Sequence, residues 1–302
     1  MESEFYSNGK LLITGEYAVL DGAKALAIPT VFGQSMTVIE TDSKKIEWTS
    51  LDENDKVWFK AEYDLKSMNT ISTSDSGISK TLLEILVEAQ KLNLNFLNVG
   101  IGYIIQTKLT FPRDWGLGTS STLINNIAQW ANVNPYDLLK NTLGGSGYDI
   151  ACAQHTTPII YQRINNEPIV QEISFNPEFR DRLFFIHLNK KQKSSEGIMH
   201  YRHVKSGVRE LVSIIDELTP KLASCNDLKT FEGLLELHEK AISETLIKPT
   251  VKQLLFNDYT GSIKSLGAWG GDFVLVTGDK ASMTYFKQKG YKTIIPFSEM
   301  IL

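Results

Sequence analysis

The segment Pro112-Arg113-Asp114-Trp115-Gly116-Leu117-Gly118-Thr119-Ser120-Ser121-Thr122 carries the strongest chemical signal in the chain. Gly116 and Gly118 have no side chains, so the backbone there can come close to a ligand. The hydroxyl residues that follow open a helical pattern, and the free N–H groups of a helix start point at whatever sits before it. That combination binds phosphate. No Gly-Lys-Ser/Thr follows, so this is not a Walker A loop, and Ser121 occupies the third glycine position of the dinucleotide fingerprint. Taken alone, the segment reads equally well as a glycine-rich turn with a hydroxyl cap.

Three further segments hold residues of the right types. Gly144-Gly145-Ser146-Gly147-Tyr148-Asp149-Ile150-Ala151 places an acid at the mouth of a helical pattern. A carboxylate there can take a proton from a substrate hydroxyl, or merely cap the helix for about 1 kcal/mol. By itself, capping is the simpler reading. Lys264-Ser265-Leu266-Gly267-Ala268-Trp269-Gly270-Gly271-Asp272 leads into a strand and offers either room for a ligand or a tight connection. In Ser7-Asn8-Gly9-Lys10-Leu11-Leu12-Ile13-Thr14-Gly15-Glu16-Tyr17-Ala18-Val19-Leu20, a lysine precedes a buried-looking strand and Glu16 sits in a turn. Singly, these read as a solvated strand end and a surface acid.

The elements that must position these residues follow from hydrophobic period. Leu11–Thr14, Phe32–Glu40, Ile46–Thr49, Val57–Tyr63 and Gly100–Leu109 read as strands, and Ser67–Ser76, polar and rich in Ser and Thr, as a loop. Ile78, Leu82, Ile85, Leu86 and Ala89 recur at helical spacing and predict a helix over Ser79–Lys91. Helices are expected over Ser120–Ala131 and Pro135–Asn141 and from Tyr148 or Asp149, with strands at Pro158–Arg163 and Ile169–Ser174. Asn176-Pro177 is a turn signal and the expected domain boundary, dividing residues 1–176 from 177–302. Beyond it, Leu183–Leu188 reads as a buried strand and Glu196–Leu218 and Leu228–Leu246 as two long helices. Phe273–Thr277, Ala281–Lys289 and Thr293–Pro296 follow as strand, helix and strand. Patterning alone supports two mixed α/β or α+β domains.

The bulk numbers exclude several classes. A chain of 302 residues suits two domains, and 42% hydrophobic with 22% charged residues is a soluble globular profile. A net charge of −4, without clustered Lys and Arg, gives no support for nucleic-acid binding. Cys152 and Cys225 are too few and too far apart for a disulfide framework or a zinc site. The opening Met1-Glu2-Ser3-Glu4 is unlike a leader peptide, and no apolar run is long enough to span a membrane. A reduced, cytoplasmic setting, without membrane or nucleic-acid partners, is the expectation.

In their order the four segments resemble the GHMP kinase family, which includes galactokinase, homoserine kinase, mevalonate kinase and phosphomevalonate kinase. Lys10 before a strand ending in Gly15-Glu16 is similar to the family's opening motif. Gly116-Leu117-Gly118-Thr119-Ser120-Ser121 is similar to its phosphate loop, with Thr119 in the first Ser position. Gly147-Tyr148-Asp149-Ile150-Ala151 matches the segment of its catalytic Asp, and Lys264–Asp272 its C-terminal glycine motif, with Trp269 in place of a glycine. The matches span residues 7 to 272.

The resemblance implies an α/β N-terminal domain with a left-handed βαβ crossover and a ferredoxin-like α+β C-terminal domain, ATP and substrate meeting in a cleft. It implies ATP and Mg²⁺ as cofactors, and a chain acting as a monomer or homodimer. Gly116, Leu117, Gly118, Thr119, Ser120 and Ser121 would cradle the ATP phosphates, and Ser120 would offer its hydroxyl to Mg²⁺. Asp149 would orient or deprotonate the acceptor, and Lys10 would pair with it. Glu16, Tyr17, Ser146, Ser194, Ser195, Gly270 and Gly271 would line the substrate site, Ser194 and Ser195 following the lysine-rich run Asn189–Lys193. Tyr17 stands where mevalonate kinases carry His, and the position of their metal-binding Glu is Leu138, with Asp137 beside it. Gly-Glu-Tyr-Ala-Val-Leu and Gly-Gly-Asp are closer to phosphomevalonate kinases. The expected activity is γ-phosphoryl transfer to mevalonate or phosphomevalonate, ahead of a sugar or homoserine. The rivals are a noncatalytic nucleotide-binding member of the fold, which has no need of both Lys10 and Asp149, and an RNA-binding protein, which the acidic balance disfavours.

Overall fold

Seventeen consecutive residues, Ala25–Thr41, form one strand, β2, that runs through both halves of the molecule. The computed structural model describes residues 1–98, 100–192, 194–204 and 207–302. The chain divides into two compact units: Met1–Gly9, Phe32–Arg113 and Leu117–Gln154 in the first, and Lys10–Val31, Asp114–Gly116 and His155–Leu302 in the second. Neither is contiguous, because β1 (Glu2–Leu12) and β2 each contribute to both; a single cut at 176 describes chain order and not this partition. Among the described residues no helix is long and apolar enough to cross a membrane, and neither Cys152 nor Cys225 is in a disulfide.

In the first unit β3 (Lys45–Leu51), β4 (Val57–Asp64), β5 (Asn69–Thr73) and β6 (Gly102–Leu109) order as β5-β4-β3-β6, with the Gln34–Thr41 part of β2 pairing antiparallel to β6. β3 and β6 are parallel, and α1 (Ser76–Leu92) lies between them in sequence, as a parallel pair requires a crossover. Asp75 caps α1 by accepting from the Gly77 and Ile78 amides at 2.9 and 3.0 Å. Its apolar stripe, Leu82, Ile85, Leu86 and Ala89, is buried in a core shared with Trp48, Phe59, Tyr63, Ile105, Ile124 and Ile127. The polar stretch expected as a loop contains β5, which pairs with β4: its β-branched Thr70, Ile71 and Thr73 suit a strand, although every residue of β5 is exposed.

In the second unit β7 (Ile159–Ile164) pairs with Ala25–Ala27 of β2 and forms a hairpin with β8 (Glu167–Glu172). The turn residues Asn165 and Asn166 have φ of 53° and 68°, as a two-residue hairpin loop needs. A separate antiparallel sheet orders as β10 (Ile263–Ser265), β11 (Phe273–Thr277), β9 (Leu183–His187) and β12 (Ile294–Pro296). Every residue of β9 and β11 is buried, which is why both read as unbroken apolar runs. α7 (Leu228–Leu246) packs against β10 and against α6 (Val208–Ala223). The helix expected over Glu196–Leu218 is two: α5 (Ser194–His203) and α6, with Gly207 at φ 81° capping the latter and breaking the helical path. Lys205 and Ser206, inside that expected helix, lie outside the described residues, as does Lys193.

The second unit is built around a buried charge cluster. Lys264 on β10 is sealed from solvent. Its ammonium donates to Glu16 Oε1 and, at 2.6 Å, to the Ser265 carbonyl, and lies 3.2 Å from Glu239 Oε1 of α7. Glu239 also accepts from the Ser265 amide and hydroxyl at 3.1 and 3.3 Å. His238 Nε2 accepts the Gly15 amide at 3.0 Å and lies 3.4 Å from Glu16 Oε2. That bond puts the imidazole proton on Nδ1, so an ionised Glu16 would face Nε2 with lone pair against lone pair. Burial pushes the Glu16 carboxyl up to about 7, against the pull of Lys264, and burial and then Lys264 hold His238 well below its ordinary range.

Glu16→Gln tests this assignment. Below about pH 4.5 the carboxyl carries a proton in both folded and unfolded chains; between about 4.5 and about 7 only the folded state retains it. Stability from this group is therefore full at low pH and lost as the pH rises through about 7. Denaturant midpoints measured from pH 5 to 8 should show wild type losing ground to Glu16→Gln by on the order of 1–3 kcal/mol. A difference that does not change with pH would put the proton elsewhere in the cluster.

Candidate active site

The phosphate-loop residues of the first unit open α2 (Thr119–Ala131). Its N-cap is Gly118, at φ 96°, which has no side chain to cap the first-turn N–H groups. The helix's own first turn holds no acid, so no charge within that turn offsets its positive end. Leu117 is buried and anchors the loop, Ser120 is exposed, and the Ser121 hydroxyl donates back to the Gly118 carbonyl at 2.8 Å. Beneath this turn runs a buried polar chain. Thr122 donates to Gln34 Oε1 at 2.8 Å, and Asn126 Nδ2 to the Gln34 carbonyl at 3.0 Å. Ser7 Oγ donates to Asn126 Oδ1 at 2.7 Å and accepts from Asn125 Nδ2 at 2.8 Å. These bonds pin α2 to β1 and β2, and they are what the sequence reading missed; the signal was two adjacent Asn inside a helix, where Asn is a poor former.

Asp149 belongs to the same unit. It is the second residue of α4 (Tyr148–Gln154), which packs against α2. This is a first-turn position and not the N-cap of the simpler sequence reading. The approach to α4 turns through Gly144, Gly145 and Gly147, at φ 66°, 117° and 92°, so side chains are disfavoured along it. Ser146 within it is buried. Asp149 is half-buried, and its charge reaches Tyr136 of α3 (Pro135–Asn141): burial first, then Cys152 and Asp149, push that phenol up. Leu138 is fully buried in the apolar core, while Asp137 is exposed on the first turn of α3. Among the described residues no group of three or more His, Cys, Asp or Glu could hold a metal ion.

The second unit holds the other expected residues. Lys10 Nζ donates to the Gly116 carbonyl at 3.0 Å, so the opening motif and the phosphate loop meet here. Trp115 packs edge-on against Phe273 with ring centroids 5.4 Å apart, and His187 Nε2 lies 3.2 Å from the Asp114 carbonyl. The Asp272 carboxyl lies against Gly116. Glu16 is turned wholly into the charge cluster and has no exposed surface. Tyr17, at φ 59°, stacks on Tyr201 at 5.6 Å, and its hydroxyl accepts the Trp269 amide at 2.9 Å. Burial pushes that phenol up. The same hydroxyl fills the place a Cβ on Gly197 of α5 would need. Trp269 does not stand over the glycine turn: its ring lies in an apolar cluster with Leu211, Ile242 and Leu246, and its Nε1 donates to the Pro249 carbonyl at 3.1 Å. Gly270 is open, and Gly271 lies against Gln192 and the Lys190 carbonyl. Ser194 and Ser195 are exposed at the start of α5.

No protein-family model matches the sequence, and no curated protein matches it. Solved structures do. A mevalonate kinase superposes with a TM-score of 0.70 at 18% identity, covering 97% of this chain and 98% of that one. Streptococcus pneumoniae phosphomevalonate kinase, in complex with phosphomevalonate and AMPPNP, matches at 0.68 and 16%, over 97% and 99%. Lactococcus lactis galactokinase, complexed with galactose, matches at 0.70 and 14%, over 98% and 94%. Likeness along nearly the whole of each chain, at so low an identity, is a statement about the backbone, and this chain has the fold of the GHMP kinases.

Proposed function

We propose that this chain is an ATP-dependent kinase that passes the γ-phosphoryl group to a small hydroxylated or phosphorylated acceptor, mevalonate or phosphomevalonate ahead of a sugar or homoserine. The observation that carries this reading is the start of α2, with no side-chain cap, no acid in its first turn and a left-handed glycine leading in, in a fold shared with ATP-using kinases. Backbone N–H groups from Gly118 to Ser121 bind the phosphates. The Ser120 hydroxyl suits Mg²⁺, which when bound neutralises charge on the phosphate oxygens. Asp149 holds or accepts the proton of the attacking oxygen, and Lys10, tied to the Gly116 carbonyl, adds positive charge beside the loop. Catalysis is then mostly positioning and charge stabilisation.

An anionic acceptor is favoured by the glycine turn. Gly271 lies against the connection Lys190–Gln192, whose two lysines are exposed and one of which, Lys191, acts electrostatically on Asp272. Tyr17, from the turn after β1, meets this turn through the hydrogen bond its hydroxyl accepts from the Trp269 amide.

Three measurements test the proposal. Gly118→Val puts a β-branched side chain at a left-handed position on the phosphate path, and calorimetry should show Mg-ATP affinity falling by about tenfold or more in a folded variant. Unchanged affinity there counts against the loop. Asp149→Asn should lower kcat by roughly 10²–10⁴ with ATP binding little altered; a fully active variant removes Asp149 from the chemistry. Finally, ADP release measured with mevalonate, phosphomevalonate, galactose and homoserine should favour one of the first two. Preference for galactose or homoserine would replace the acceptor and leave the kinase.

A further inference from the structure

Asp272 is held where a residue with a side chain does not relax. Its φ of 54° is left-handed, a conformation strained for any residue with a side chain. Its own peptide clasps the connection leaving β9: the Asp272 amide donates to the Lys190 carbonyl at 2.8 Å, and its carbonyl accepts the Leu188 amide at 2.8 Å. The side chain then reaches two segments at once. Oδ1 accepts the Gln192 amide at 3.1 Å, and the carboxyl is seated so closely on Gly116 that a Cβ there would fall 2.3 Å from Asp272 Cγ and 2.4 Å from Oδ2. Gly116 is held from its carbonyl by Lys10.

The charge is of the wrong sign for that place. A carboxylate beside an anion-binding loop weakens the anion, and this one is 92% buried (8% exposed). Burial pushes it up, while the Gln192 amide and then Lys10, Lys191 and His187 pull it back; the Tyr17 phenol also feels its charge. A strained backbone and a buried acid next to a phosphate loop are costs, and what they secure is geometric.

We propose that Asp272 is a positioning residue of the phosphate-binding loop: seated between Gly116 and the Gln192 amide, its carboxyl sets the spacing between that loop and the connection leading to Ser194. The inference rests on the kinase reading above. Asp272 touches no reacting atom, so removing it loosens the loop and leaves the chemical step. Its shape and its Oδ1 acceptor matter more than its charge, so Asn serves in its place.

Steady-state kinetics of the full chain test this with Asp272→Gly, which deletes the carboxyl while suiting a left-handed φ, and with Asp272→Asn. Asp272→Gly should raise KM for Mg-ATP about tenfold or more with kcat within about threefold, and Asp272→Asn should stay within about twofold of wild type in both. Gly116→Ala should also weaken ATP binding less in the Asp272→Gly background than in wild type, because the clash is gone. Wild-type KM in Asp272→Gly, or an equal cost of Gly116→Ala in both backgrounds, overturns the proposal while the kinase reading stands. Asp272→Ser, too short to reach Gly116, carries the same expectation should the glycine variant not fold. A wild-type protein that binds no Mg-ATP overturns the kinase reading, and this inference with it.

Discussion

A lysine ammonium with no access to water cannot stand alone, and the second unit is arranged to supply what Lys264 needs. Glu16 arrives from the turn after β1, Glu239 from α7, and the Ser265 carbonyl from β10 itself. Desolvating these charges is expensive, and removing one partner leaves another buried and uncompensated, a loss of about 3–5 kcal/mol in comparable pairs. The turn Gly15-Glu16-Tyr17 is consequently tied at Glu16, and the Gly15 amide is tied again by His238. Tyr17 can then meet the Trp269 amide and stack on Tyr201 from one orientation. Two of the sequence motifs, the opening one and the C-terminal glycine one, are joined through this charge.

The segment expected to bind phosphate is tied down by different kinds of interaction along its length. In the first unit, α2 rests on hydrogen bonds among Ser7, Gln34, Thr122, Asn125 and Asn126, all buried. Such networks fix position well because each unpaired member would carry a desolvation cost. In the second unit, Gly116 is held by one lysine and packed by one carboxyl. Neither of these arrangements draws on the backbone N–H groups at the start of α2.

Trp269 shows how a bulky side chain can be accommodated at the start of a glycine turn. In the sequence it stands where a glycine is expected in a ligand-facing turn. Its indole leaves the turn for an apolar cluster and finds the Pro249 carbonyl for its N–H, as a buried indole requires. The glycines that follow it, Gly270 and Gly271, keep the open and close-packed roles their lack of a side chain permits.

What the sequence determined by itself was local. The periodicity of Leu82, Ile85, Leu86 and Ala89 named α1 and its buried face, and the apolar runs named β9 and β11, because side-chain spacing within a few residues decides which surface meets the core. Residue types named the glycine turn that opens α2, since Gly118 there takes a left-handed φ. Tertiary structure decided the rest. β5 exists because β4 pairs with it, which a polar run of Ser and Thr does not announce. The helical pattern after Ser194 breaks at Gly207, whose left-handed φ is a property of the fold. Lys264 reads as one more solvated lysine until Glu16, 248 residues earlier, is set against it. Asp272 reads as the end of a turn until Gly116 is beneath its carboxyl. Periodicity is written along the chain, but a buried charge is tolerable only through partners that the fold alone brings near.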